Sequence, residues 1–124
     1  MKLKAIDILN IYHSLEKMSD LELDLSPACT IAKNLKELAV AKEVIENKRN
    51  KLITEYAKKN EDGTICQSEN GSIEIQQPET FSAKLDELLS SETETNLIKI
   101  QKETLSEIKV SAKTLLPLMT IMED

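Results

Sequence analysis

The sequence predicts a mainly α protein of the α+β class, with a long central helix packed with shorter helices plus a small antiparallel β-hairpin or sheet. Three observations carry that prediction. From Ala28 to Asp62 the chain holds no Gly or Pro, and its apolar residues recur alternately by three and four. Asn70-Gly71, a strong hairpin signal, then sits between two short alternating segments. Tyr12, Tyr56 and Phe81 are the only aromatics, so the core must be Leu, Ile, Val, Ala and Met. At 124 residues, 40% hydrophobic and 31% charged, residues 1–124 are expected to form a single domain that holds its core without disulfide or metal.

Residues 3–18 read as a first helix. Ile8, Ile11 or Tyr12, Leu15 and Met18 fall at helical spacing, while Leu3, Ile6 and Leu9 make other sides apolar too. A helix apolar nearly all round is central or packs on a second chain. In "LELDLSP" the alternating Leu21, Leu23 and Leu25 predict an extended connector with one buried edge. Ser26-Pro27, a hydroxyl cap before a first-turn proline, starts the long helix, expected over 27–59.

That helix carries a seam: Ala28, Ile31, Leu35, Leu38, Lys42, Ile45, Arg49, Leu52 and Tyr56. Lys42 and Arg49 interrupt it, and Ala32, Ala39 and Ile53, with Val44 nearby, widen its apolar side. The lower part, Leu38, Lys42, Ile45, Arg49, Leu52 and Tyr56, is the candidate interaction face. Such a helix spans about 50 Å, long for a 14.0 kDa chain. The seam is therefore either internal core or an interface with a second copy, and the sequence leaves both open.

Asp62-Gly63 is expected to stop the helix. A hairpin over 64–76 follows, with a type I′ turn at Asn70-Gly71 that sets Ser68 opposite Ile73 and Cys66 opposite Ile75. Too small to stand alone, it should lie on the helices as a flap. Pro78 opens a helix over 78–90 with a stripe of Phe81, Leu85, Leu88 and Leu89, ended by "SSETET". Segments 96–100 and 107–110 alternate like short strands that add to the hairpin. Ser111 caps a last helix over 112–122, which Pro117 should kink or delay to Thr114.

Composition narrows the function. A net charge of −6 opposes phosphate backbones and anionic lipid, so neither nucleic acid nor membrane is expected as a partner. Arg49 is the one arginine, which removes most bidentate phosphate and base-edge chemistry. Lys48, Arg49, Lys51, Lys58 and Lys59 are interspersed with Glu46 and Glu55 and read as a solvated helix end. The sequence shows no apolar run of membrane-spanning length and no signal-peptide pattern, so a cytoplasmic location is expected. Cys29 and Cys66 follow no CxxC spacing; they read as buried free thiols, with a disulfide between them left open.

Chemical machinery is sparse. His13, the single histidine, has no Ser, Cys or acid placed by local spacing to work with it. Glu22 and Asp24 share one side of an extended segment but lack the further oxygen ligands of a calcium loop. No phosphate loop, nucleophile elbow or zinc spacing appears. The expectation is a non-enzyme with no cofactor and no metal.

The order of "TIAKNLKELAVAKEVIENKRNKLITEYAKKNEDG", "SIEIQQPETFSAKLDELLSSETE" and "VSAKTLLPLM" resembles small helical proteins of tailed phages and prophages of low-GC Gram-positive bacteria. The likeness runs over residues 28–120 and rests on Asn34, Tyr56, Gly63, Phe81 and Leu88. It implies a phage origin and carries no functional residue across. The expected function is that of a phage accessory protein that binds a protein partner, host or phage, stoichiometrically, as a modulator or inhibitor of a host or defence protein. Self-association is a further use of the helix. The alternative is a virion or tail-assembly component or its chaperone. A small-nucleotide sponge comes third, disfavoured by the scarcity of Arg and aromatic rings.

Overall fold

The computed structural model describes residues 1–123. The chain runs β1 (Lys2–Lys4), α1 (Ala5–Ser19), α2 (Leu25–Tyr56), α3 (Pro78–Ser90), β2 (Glu92–Glu94) and β3 (Ile100–Gln101). A 3-10 turn at Lys102–Leu105, α4 (Ala112–Leu115), a 3-10 stretch at Leu116–Ile121 and β4 (Met122–Glu123) complete it. This is the expected α+β class, built on one long helix. Helices α1 and α2 form the main packing. Ile8, Ile11, Leu15 and Met18 of α1 join Ile31, Leu38 and Ile45 of α2 in one buried cluster, closed by Ile100, Leu105, Leu118 and Ile121. Each such side chain taken fully from water contributes about 1.5–3 kcal/mol, which is how an almost ring-free core holds.

Leu3 belongs to a strand rather than to the first helix. Strand β1 pairs antiparallel with β2, Lys2 opposite Glu94, Leu3 opposite Thr93 and Lys4 opposite Glu92. Leu3 turns inward while the two Lys–Glu pairs sit outside, a favourable cross-strand arrangement. The "SSETET" segment thus both ends α3 and supplies β2. Helix α2 starts two residues before the expected position, with Asp24 as its flanking residue. Pro27 falls in the first turn, where its missing N–H has no intrahelical partner to lose. Leu25 is consequently exposed, not part of a buried connector edge.

The flap departs most from expectation. Helix α2 ends at Tyr56, earlier than 59, as Ala57 turns extended (φ −71°, ψ 139°). Residues 57–59 then lie between two returning segments, with Ala57 bridged to Ile75 and Lys59 to Ile65, while Gln67 bridges Ile73. The Asn70-Gly71 turn is not type I′: Gly71 has φ +83°, but Asn70 keeps a negative φ. Gly71 N–H donates to Ser68 O, and Ser68 N–H to Ser72 O, closing a three-residue loop with a left-handed glycine. Pairing is thereby shifted by one residue, Ile73 facing Gln67 instead of Ser68, and the intervening 57–59 segment puts Ala57, not Cys66, opposite Ile75.

Residues 60–64 repeat the same device. Gly63 (φ +87°) donates to Asn60 O, and Asn60 N–H donates to Thr64 O. Both turns read Glu, Asx, Gly, hydroxyl. Asp62 Oδ1 accepts from Thr64 N–H at 3.0 Å, and Asn70 Oδ1 accepts from Ser72 N–H at 3.1 Å. The Thr64 hydroxyl, donating at 2.6 Å, is the main reason the Asp62 carboxyl lies below the usual aspartate range, followed by the Thr64 N–H. A depressed folded value stabilises above the ordinary one and is lost as pH falls through the depressed one. On acidification, the exchange protection factor of the Asn60 amide should fall relative to that of Ser68, whose turn holds a non-titrating Asn. Asp62→Asn should abolish the difference; NMR hydrogen exchange checks both.

Helix α3 has its expected bounds. The predicted strands at 96–100 and 107–110 do not extend the flap: only Ile100–Gln101 is a strand, and it pairs parallel with Met122–Glu123. The Ser111 hydroxyl caps α4 by accepting from Thr114 N–H at 3.1 Å. Pro117, lacking an N–H, then cuts the expected 112–122 helix to four residues, and the chain tightens into 3-10 form. At three residues per turn, Leu118 and Ile121 both point into the core.

Candidate functional site

The seam that the periodicity selects as an interaction face is turned inward. Leu38 is 0%, Ile45 5% and Tyr56 8% exposed, so they cannot serve as an open surface of this chain. Lys42, Arg49 and Leu52 are half-buried. Both cations are met within the chain: Lys42 Nζ lies 2.6 Å from Glu46 and 4.8 Å from the Tyr12 ring centre, and Arg49 lies 3.5 Å from Glu46. The hydrogen bond to Glu46 is the main cause that raises Lys42 above an ordinary lysine, and the same bond lowers Glu46. Tyr56 meets Phe81 edge-on at 6.0 Å, with Lys84 over its ring at 5.3 Å. The cations in the seam are matched by an acid one turn on and by an aromatic ring of α1.

Among the described residues, two open apolar surfaces are best placed to receive a partner. The first is on α2, where Val40 and Val44 are 70% and 46% exposed. They line a groove of about 350 Å³ with Glu37, Ala41, Ile45 and Lys48, facing Leu88, Ser91, Thr93 and Glu94. The second is a cup of about 400 Å³ lined by Met18, Lys102, Leu105, Ile108, Val110, Leu115, Met119 and Met122. Leu116 (73%) and Met119 (52%) stand outward beside it, because the 3-10 stretch that buries Leu118 and Ile121 turns its other side chains away from the core. Ile108 also lines a neighbouring hollow that holds Glu22, Asp24, Glu103 and Glu107.

The remaining residues singled out in the sequence are dispersed. His13 is exposed on α1. Cys29 is exposed and Cys66 half-buried, both free, so the expected buried pair is corrected and no disulfide joins them. Lys58 lies 3.6 Å from Glu74 across the flap. Among the described residues no group of three or more His, Cys, Asp or Glu converges to hold a metal, and no helix is long and apolar enough to cross a membrane. Compared with protein-family models, with curated proteins and with solved structures, the chain matches none.

Proposed function

We propose that this chain is a non-enzymatic protein of phage origin that acts by binding a protein partner at fixed stoichiometry. The observation that carries the reading is the apolar cup between Leu105 and Met122, open to solvent and sharing a wall with an acidic hollow. Four of its lining residues are branched aliphatics and three are Met, whose unbranched, polarisable side chain adapts to varied apolar surfaces. The four carboxylates next door favour a partner segment that couples an apolar anchor to Lys or Arg. The phage origin rests on the resemblance of the sequence over residues 28–120.

A photo-crosslinker placed at Met119 tests the proposal in infected host cells. The expected result is one host protein captured at a one-to-one ratio. Met119→Lys should weaken capture at least roughly tenfold, while changing folding stability by no more than about 0.5 kcal/mol, as for other exposed sites. Capture of a virion protein would move the reading to tail assembly. No captured protein, or capture indifferent to Met119→Lys and Leu116→Lys together, would overturn it.

A further inference from the structure

The α2 groove lies apart from the cup and offers a separate surface. Glu37, Val40, Ala41, Val44, Ile45 and Lys48 form its helical wall. Within one chain Val40 stays 70% and Val44 46% exposed. We infer that a second copy of this chain fills the groove, its α2 lying antiparallel across the first about a two-fold axis midway between positions 42 and 43.

A two-fold axis brings together residues equally distant on either side of it. Glu37 then meets Lys48 of the second copy and Ala41 meets Val44, while Val40 closes over the small edge of Ile45 that reaches the groove. Every helical row has such equidistant positions; the residues that occupy them decide whether the row fits itself. Here an acid and a base stand at opposite ends, with apolar residues between. Each contact is made twice. A parallel pairing would set Glu37 on Glu37 and Lys48 on Lys48, a like-charge clash at both ends. The small Ala41 near the axis lets the two helices approach closely.

The charges left over within one chain agree with this arrangement. Lys42 and Arg49 are taken up by Glu46, whereas Lys48 has no ion-pair partner among the described residues. Glu37 accepts one hydrogen bond, from Asn96 N–H at 3.1 Å, which leaves its second oxygen for the lysine. Glu94, 2.7 Å from the Met1 amino group, adds a second carboxylate on the opposite wall. The incoming Lys48 thus reaches an acidic rim, and the valines lose their water.

Sedimentation and light scattering on the whole chain test this. The wild type should run at twice the 14.0 kDa chain mass at micromolar concentration. Val44→Lys should raise the dimer dissociation constant roughly a hundredfold, since it sets a charge in the apolar centre. Glu37→Lys alone and Lys48→Glu alone should each raise it roughly tenfold, with circular dichroism unchanged. Mixing those two variants should restore pairing, because each then supplies the charge the other lacks. A monomeric wild type would overturn the inference, as would a dimer untouched by these substitutions or a mixture that stays monomeric. Neither result bears on capture at Met119, which reads the other surface.

Discussion

Leu38→Ala is expected to cost about 3 kcal/mol of folding stability, and Val40→Ala, two residues further on, less than about 0.5 kcal/mol. Both remove apolar atoms from the same helix. Leu38 is fully buried and sits in the cluster that joins α1 to α2, so the loss includes its transfer from water and the cavity left behind. Val40 is 70% exposed, so one chain's folding gains little from it. Against a total of about 5–15 kcal/mol for a domain, the first loss is large. Urea unfolding, at concentrations too low for copies to pair, measures both. The alternative reading of the seam makes the opposite prediction: Leu38→Ala would then dissociate an oligomer and leave the chain's own stability nearly intact.

The contrast explains what periodicity can and cannot reveal. Spacing by three and four identifies the side of α2 that is buried: Ile31, Leu38, Ile45 and Tyr56 of the seam are buried, together with Pro27 and Asn34, which lie outside it. It did not reveal what buries them, because an apolar stripe has the same pattern against its own chain or another. Lys42 and Arg49 read as interruptions for a partner's acids to answer, yet Glu46 stands in the sequence at helical spacing from both. Val40 carries no signal in the sequence, because a single apolar residue on a polar side is ordinary; its meaning appears only beside Val44, Leu88 and the rim charges.

Short elements were legible only in part, for a related reason. Lys2–Lys4 and Glu92–Glu94 are too short to show a period, and their Lys–Glu complementarity emerges only once they are paired. The two flap turns were different. The shared Glu-Asx-Gly-hydroxyl pattern at 61–64 and 69–72 was visible throughout, but Asp62-Gly63 read as a helix stop because it followed a helix. The helix had in fact ended at Tyr56, where no Gly or Pro marks the exit. At the cup, Pro117 announced an interruption, but whether Leu116 and Met119 faced inward depended on the switch to three residues per turn. That switch decides the site.

Asn34→Ala should cost about 2 kcal/mol although it removes no apolar contact. Asn34 is 1% exposed within α2. Its amide donates to Ile98 O at 2.9 Å, and its oxygen accepts from Ile98 N–H at 2.8 Å, so one side chain does for the connector what a strand partner would. Alanine leaves both backbone groups of Ile98 without that partner, and leucine, though it fills the volume, does no better. Ile98 leads directly to β3, which holds β4 beside the cup, so hydrogen exchange at Ile100 and Met122 should quicken and capture at Met119 should weaken as well. Asn34→Asp separates this hydrogen-bond account from simple packing. At neutral pH it keeps the acceptor but sets a second carboxylate oxygen against the Ile98 carbonyl. Protonation restores a donor there, so the folded state favours the proton. The benefit of that proton is present at low pH and is lost as pH rises past the raised folded value. The stability deficit of Asn34→Asp relative to wild type should therefore shrink steadily on acidification, whereas that of Asn34→Leu should not. Equal deficits for the two at every pH would show that Asn34 acts only by filling space.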